Sequence, residues 1–241
     1  MSLLKPSTEK TALFLIAGVA TSPDFMEVLR EALVRHLHQS GGARISSKLL
    51  FPYGDWGRSV LHQLRDARHD MKLPIMERRR SIGGQFIMKE AEPLLDDGWR
   101  FVFIGHSAGG NAAVHAAQLL KQREPRVECR IVQIGSPKCP IPAELQASVS
   151  FLFAEGKRGR SKDPICRLGS WGGWERGRYG LPVWNRHLYA PSRIIPLQTI
   201  GGHADYFRNH PPFMDALGRS NLEAVIGAFC QRCLPESVSD D

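Results

Sequence analysis

The sequence predicts an α/β fold in which a mostly parallel central sheet carries helices on both faces, and three observations carry that reading. Apolar runs of strand length alternate with helical-period segments nearly throughout. The chain has 241 residues, 42% apolar and 23% charged, which suits a single globular domain over 1–241. One segment, Phe101 to Leu120, joins an apolar run to an Ala-rich helix through closely spaced glycines.

After a polar lead of about ten residues, Thr11 to Ala17 reads as a buried strand that stops at Gly18. The stretch Lys10 to Ala20 also has the look of a short signal segment, but Pro6 and Glu9 suit a basic leader poorly and the fold needs this strand. A helix follows with Asp24 near its cap, because Phe25, Val28, Leu29, Ala32, Leu33 and Leu37 recur at helical spacing; Gly41-Gly42 ends it. Arg44 to Phe51 is a second strand before the turn-rich Pro52 to Gly57. Two helices are predicted over Ser59 to Asp70 and Ile82 to Leu95, closed by Asp96-Asp-Gly98. Beyond the Phe101 to Leu120 segment come strands at Val127 to Ile134, Val149 to Ala154 and Ile194 to Ile200. The 168–192 stretch, rich in Trp, Gly and Arg, reads as an irregular excursion, Pro212 to Cys233 as a final helix with Leu217, Leu222, Val225, Ile226 and Phe229 on its apolar face, and 235–241 as a disordered tail.

Phe101-Val-Phe-Ile-Gly-His-Ser-Ala-Gly-Gly110 holds a GxSxG centred on Ser107. The motif alone is weak, but a strand before it, a helix after it and small neighbours around it are what a nucleophile elbow requires. A serine hydroxyl needs a base to take its proton and an acid to orient that base. On a sheet wound with the elbow in its middle, the acid comes from the loop after a later strand and the base from the loop after the last. Asp163 and His203 occupy those places, with Glu155 a rival for the acid and His187 and His210 for the base. His36, His38, His62, His69 and His115 fall on helices, the side chain of His106 leaves the turn in another direction, and Asp205 suits a brace of the His203 loop. The oxyanion of a tetrahedral intermediate needs preorganised N–H donors. Ala108, after the nucleophile, supplies one; Val19 or Ala20, in the loop after the first strand, supplies the other, with Val19 the first choice.

At these residues the chain resembles the α/β-hydrolases, and within them is similar to the class 3 lipase-like proteins. Four short pieces carry the likeness: Gly105 to Gly110, Ile134-Gly-Ser-Pro137, Asp163 to Leu168 and His203 to Phe207. The resemblance spans about Thr11 to Phe207 in order and implies a Ser, Asp, His triad, ester hydrolysis and no cofactor. Ala108 stands where those lipases usually have Leu, and the Gly18 loop lacks their Arg-Gly-Thr pattern, which argues against a secreted triglyceride lipase.

The formal charge is +8, with arginine dense at 76–80, 156–160 and 171–178. No nucleic-acid motif surrounds these clusters, so a solvated basic surface is expected and nucleic acid is not. Five cysteines, odd in number and sparse, suit reduced thiols in a cytoplasmic protein; Cys230-Gln-Arg-Cys233 lacks the second pair of a zinc site, and no metal is expected. The expected function is a serine hydrolase acting on a small acyl ester. The alternatives are a thioesterase, amidase or acyltransferase on the same triad, and a non-catalytic binding protein that uses the basic face. Membrane-surface contact is left open, as are the oligomeric state and whether 168–192 forms a lid.

Overall fold

The computed structural model describes residues 10–39 and 44–233. The polar lead, the Gly41-Gly42 helix stop and the 235–241 tail expected from the sequence lie outside them. In chain order the elements are β1 (Lys10–Ile16), α1 (Pro23–Gln39), β2 (Arg44–Leu50), α2 (Val60–Lys72), α3 (Ile82–Ala91), β3 (Trp99–His106), α4 (Ala108–Arg123) and β4 (Cys129–Ile134). They continue with α5 (Ala143–Gln146), β5 (Val149–Ala154), β6 (Gly173–Arg176), β7 (Pro182–Asn185), β8 (Arg193–Leu197) and α6 (Asn221–Ala228). Six strands form one sheet in the order β2-β1-β3-β4-β5-β8, every pairing parallel. With the elbow strand third in that order and helices around the sheet, this is an α/β-hydrolase fold.

Period-2 alternation decides which face each side chain serves. Phe101 and Phe103 of β3 join Phe14 of β1 and the alanines of α4 in one core layer. Val102 and Ile104 point the other way, among Leu13, Leu15, Met26, Leu29, Leu33, Leu222 and Val225 from β1, α1 and α6. Both faces of the central strands are therefore buried, which is why these strands read as continuous apolar runs. Because all six strands run the same way, the loops after β1, β3, β5 and β8 leave from one edge of the sheet, the edge where open parallel sheets build their sites.

Several elements differ from expectation for local reasons. Asp24 lies in the first turn of α1, which starts at Pro23, and is not its cap. The helix predicted to reach Leu95 is α-helical only to Ala91; Pro93, lacking an N–H, turns the rest into a 3-10 segment, Glu92–Asp97. The last helix begins at Asn221, where Ser220 and Glu223 form a reciprocal capping box, so Leu217 sits exposed in the preceding turns. It ends in a π-turn, Phe229–Cys233. The 168–192 excursion contains an antiparallel hairpin of β6 and β7. Within the basic cluster at 76–80, Arg78 is buried and donates to Gln118 Oε1 at 3.0 Å and to the Pro140 carbonyl. All five cysteines are free thiols, and burial pushes Cys230 up to about 11, away from a reactive thiolate.

β3 and α4 meet almost backbone to backbone: a Cβ at Gly105 would lie 2.4 Å from Gly109 O and from Gly110 N. Gly105→Ala is expected to cost about 1–3 kcal/mol of stability through overpacking. Gly227 in α6 has nothing within 4 Å of an added Cβ, and Gly227→Ala is expected to add about 0.5–1 kcal/mol. Urea denaturation of the two variants beside the parent checks both signs.

Candidate active site

β3 ends at His106 and α4 starts at Ala108, so the whole strand-to-helix reversal falls on Ser107. Its backbone sits at φ 55° and ψ −134°, a region that costs a non-glycine residue about 1–3 kcal/mol. The surroundings hold it there: Ser107 N–H donates to Ile134 O at 3.1 Å, and Gly110 N–H donates to Ser107 O at 3.0 Å. A Cβ at Gly109 would lie 2.2 Å from Ile16 O, so the helix N-terminus rests directly on the end of β1. A Cβ at Gly18 would stand 2.6 Å from Ser107 Cβ and 3.1 Å from its Oγ, which places the loop after β1 against the candidate nucleophile. In that loop Ala20 N–H donates to Gln63 Oε1 at 3.0 Å, while Val19 N–H meets no acceptor among the described residues.

Asp163 and His203 come together across 40 residues, with His203 Nδ1 at 2.8 Å from Asp163 Oδ2. The carboxylate is fully buried and has two further donors, the Tyr206 hydroxyl to Oδ2 at 3.0 Å and Ile165 N–H to Oδ1 at 2.9 Å. Burial raises the Asp163 pKa, but His203, Ile165 and Tyr206 together outweigh it and hold the acid below the usual carboxylate value. The ionised acid fixes the proton of His203 on Nδ1, leaving Nε2 unprotonated in the neutral ring. Of the rivals, Glu155 Oε2 accepts from Gln198 at 2.5 Å, His187 Nε2 accepts from Arg186 at 2.9 Å, and His210 Nδ1 lies 2.8 Å from Pro211 O. Asp205 takes the bracing role, its Oδ2 accepting the Gly202 N–H at 2.8 Å.

Four further residues contribute: three that the sequence did not single out for the site, and one, His106, that it set aside. Tyr206 accepts the Ala154 N–H at 2.9 Å while donating to Asp163, so one hydroxyl ties the end of β5 to the acid. Asn221 donates to Ile200 O and Asp205 O, both at 2.7 Å, and closes the His203 loop from α6. Gln63 donates to Asp55 O and Arg58 O while holding Ala20, and so braces the Gly18 loop. The fourth is His106. Its ring stacks on His203 with centroids 4.6 Å apart, and its Nε2 lies 3.1 Å from His203 O. Since a carbonyl only accepts, that nitrogen carries the proton. The side chain of the residue before Ser107 thus seats the His203 loop beside the elbow. The usable signal for Tyr206 was its place one turn after His203; nothing local marked Gln63 or Asn221.

Burial, with the neighbouring His203 adding to it, drops the His106 pKa to about 3. His115 is also lowered, first by burial and then by Arg78. Unfolded histidines take up a proton near pH 6.5 while these two stay neutral in the folded chain, so their contribution is full above about 6.5 and falls as pH drops below it, for His106 until pH nears about 3. Each contributes up to about 1.4 kcal/mol per pH unit in that window. His106→Phe is expected to reduce the slope of unfolding free energy with pH between about 6 and 5, above most of the carboxylate range. Urea titrations at several pH values measure it.

No family model matches this chain, and no curated protein does. Among solved structures it is similar to a gene product of Listeria innocua, at 12% identity and TM-score 0.49 over 95% of this chain and 96% of the other. It is also similar to the RedJ thioesterase of the prodiginine biosynthetic pathway in Streptomyces coelicolor, at 14% identity and TM-score 0.44 over 86% and 87%.

Proposed function

We propose that this chain is a serine hydrolase that cleaves a carboxylic ester through an acyl-enzyme on Ser107, in the manner of esterases and lipase-like enzymes. The observation that carries the reading is the buried Asp163 carboxylate held 2.8 Å from His203 Nδ1, on a loop that His106 seats beside the elbow.

In the proposed reaction His203 Nε2 takes the Ser107 hydroxyl proton as Oγ attacks the acyl carbon. The carbonyl oxygen becomes an oxyanion that accepts from the N–H groups of Val19 and Ala108. The Val19 N–H, which meets no acceptor among the described residues, and the occupied Ala20 N–H favour Val19 over its neighbour. Ala108 is the first residue of α4, so its N–H has no partner within the helix and lies at the positive end of the dipole. Collapse of the intermediate breaks the ester C–O bond, and His203 returns the proton to the departing alcohol. Water then gives a proton to His203 and attacks the acyl-enzyme, releasing the acid and restoring Ser107. Asp163 stabilises the imidazolium formed in both halves.

Ser107→Ala is expected to abolish covalent labelling by a fluorophosphonate probe. Full-strength labelling of that variant would sink the assignment. Asp163→Asn is expected to lower kcat on p-nitrophenyl esters by about 10³–10⁴-fold, because the amide no longer holds His203 in the required tautomer. Steady-state kinetics on p-nitrophenyl butyrate reads this, and an unchanged kcat would move the acid elsewhere.

A further inference from the structure

The 38 residues from Gly156 to Arg193 carry nine lysines and arginines against two acids, Asp163 and Glu175. That is a net +7 of the chain's +8, concentrated in less than a sixth of its length. One of the two acids, Asp163, is buried against His203 and shows no charge to solvent.

The same stretch presents apolar side chains outward. Trp174 is 67% exposed, Tyr179 85% and Leu181 67%, with Val183 and Trp184 about half exposed. They stand on the hairpin of β6 and β7, where Trp174 and Trp184 face each other across the strands with ring centroids 5.4 Å apart. The turn between them is closed by Gly177 N–H to Leu181 O at 2.8 Å, and Arg176, Arg178 and Arg186 flank it. The hairpin is anchored at its base. Trp171 is buried edge-on against Phe151 with centroids 5.0 Å apart, and Lys138 Nζ lies 5.0 Å over its ring. Trp171 therefore serves the core, whereas Trp174 and Trp184 do not. Leu188 and Tyr189 pack against the hairpin at Gly173, but a two-stranded sheet is marginal in water on its own, and the exposed remainder of this one is aromatic, aliphatic and cationic.

We infer that the β6 and β7 hairpin docks on an anionic lipid surface, with Trp174, Tyr179, Leu181 and Trp184 entering the interface and the surrounding arginines meeting lipid phosphates and carboxylates. Tryptophan and tyrosine favour the boundary between headgroups and acyl chains, and each nearby cation adds attraction to a negative leaflet. A nucleic acid would use the arginines and the aromatic rings, but Leu181 and Val183 give bases nothing to stack on. The inference does not rest on the catalytic reading.

Co-sedimentation of the full chain with vesicles of phosphatidylcholine alone, and with roughly 30% phosphatidylserine, tests it. Binding is expected only to the anionic vesicles, weakening steeply with salt, with tryptophan emission quenched by brominated lipid. Tyr179→Ser with Leu181→Ser, and separately Arg176→Ser with Arg178→Ser, are each expected to weaken binding by about tenfold or more. All four side chains are exposed or flank an exposed turn, and circular dichroism confirms that the variants fold. Parent protein left in the supernatant, equal binding to neutral vesicles, or unchanged binding of both variants would overturn the inference. So would tighter, hairpin-dependent binding to a single-stranded oligonucleotide than to vesicles. Vesicle binding is read without turnover, so its failure leaves Ser107 untouched, and failure of probe labelling leaves the hairpin untouched.

Discussion

The near-contact of main chains where β1, β3 and the start of α4 converge sets the terms for the rest of the structure. Gly105 lets the last turn of β3 touch α4, and Gly109 lets α4 touch Ile16 O. With side chains there, the helix would stand off the sheet and the reversal at Ser107 would relax out of its positive φ. The closeness also explains the composition of α4, whose Ala112, Ala113, Ala116 and Ala117 are fully buried against the sheet and α3. Strain of about 1–3 kcal/mol at one residue survives because a core this tightly filled offers no roomier alternative.

The second constraint is electrical. A carboxylate removed from water is costly unless donors replace the lost hydration. Asp163 meets this with three donors from two places: Ile165 in its own loop, and Tyr206 and His203 from the segment after β8. The same bonds that keep the acid ionised therefore fix the loop after β5 to the loop after β8. His106 completes the arrangement as a neutral ring, since a charged imidazole stacked on His203 would oppose the proton that His203 is proposed to accept.

The sheet, its winding and the pairing of Asp163 with His203 were legible in the sequence because each depends on local chemistry repeated in order: apolar runs, glycines at a reversal, polar residues just past strand ends. Glu155 was the harder rival to dismiss, being closer to its strand end; only the fold shows it engaged with Gln198. His106 was set aside because side-chain direction at a turn is easily read while packing across 97 residues is not. Tyr206, Gln63 and Asn221 act through contacts of 43 residues, 43 residues and 16 to 21 residues, separations at which spacing carries no signal. The start of α6 was different. Ser220 and Glu223 spell a capping box, but the apolar Leu217 drew the boundary too early.

The crossover from β5 to β8 joins the site to the basic hairpin. A connection between parallel neighbours normally carries an α-helix that covers one face of the sheet. This one carries only 3-10 turns and the β6 and β7 hairpin. Covering falls instead to a small cluster of Phe151, Cys166 and Trp171, with Phe153 and Ala190 packed against it. A cluster that size occupies few residues, so most of the segment is released from core duty and free to hold arginines and outward-facing aromatics. The acid sits at the start of the same crossover, locked by its own hydrogen bonds, so the exposed surface of the hairpin and the fixed geometry of Asp163 coexist on one length of chain without competing for the same contacts.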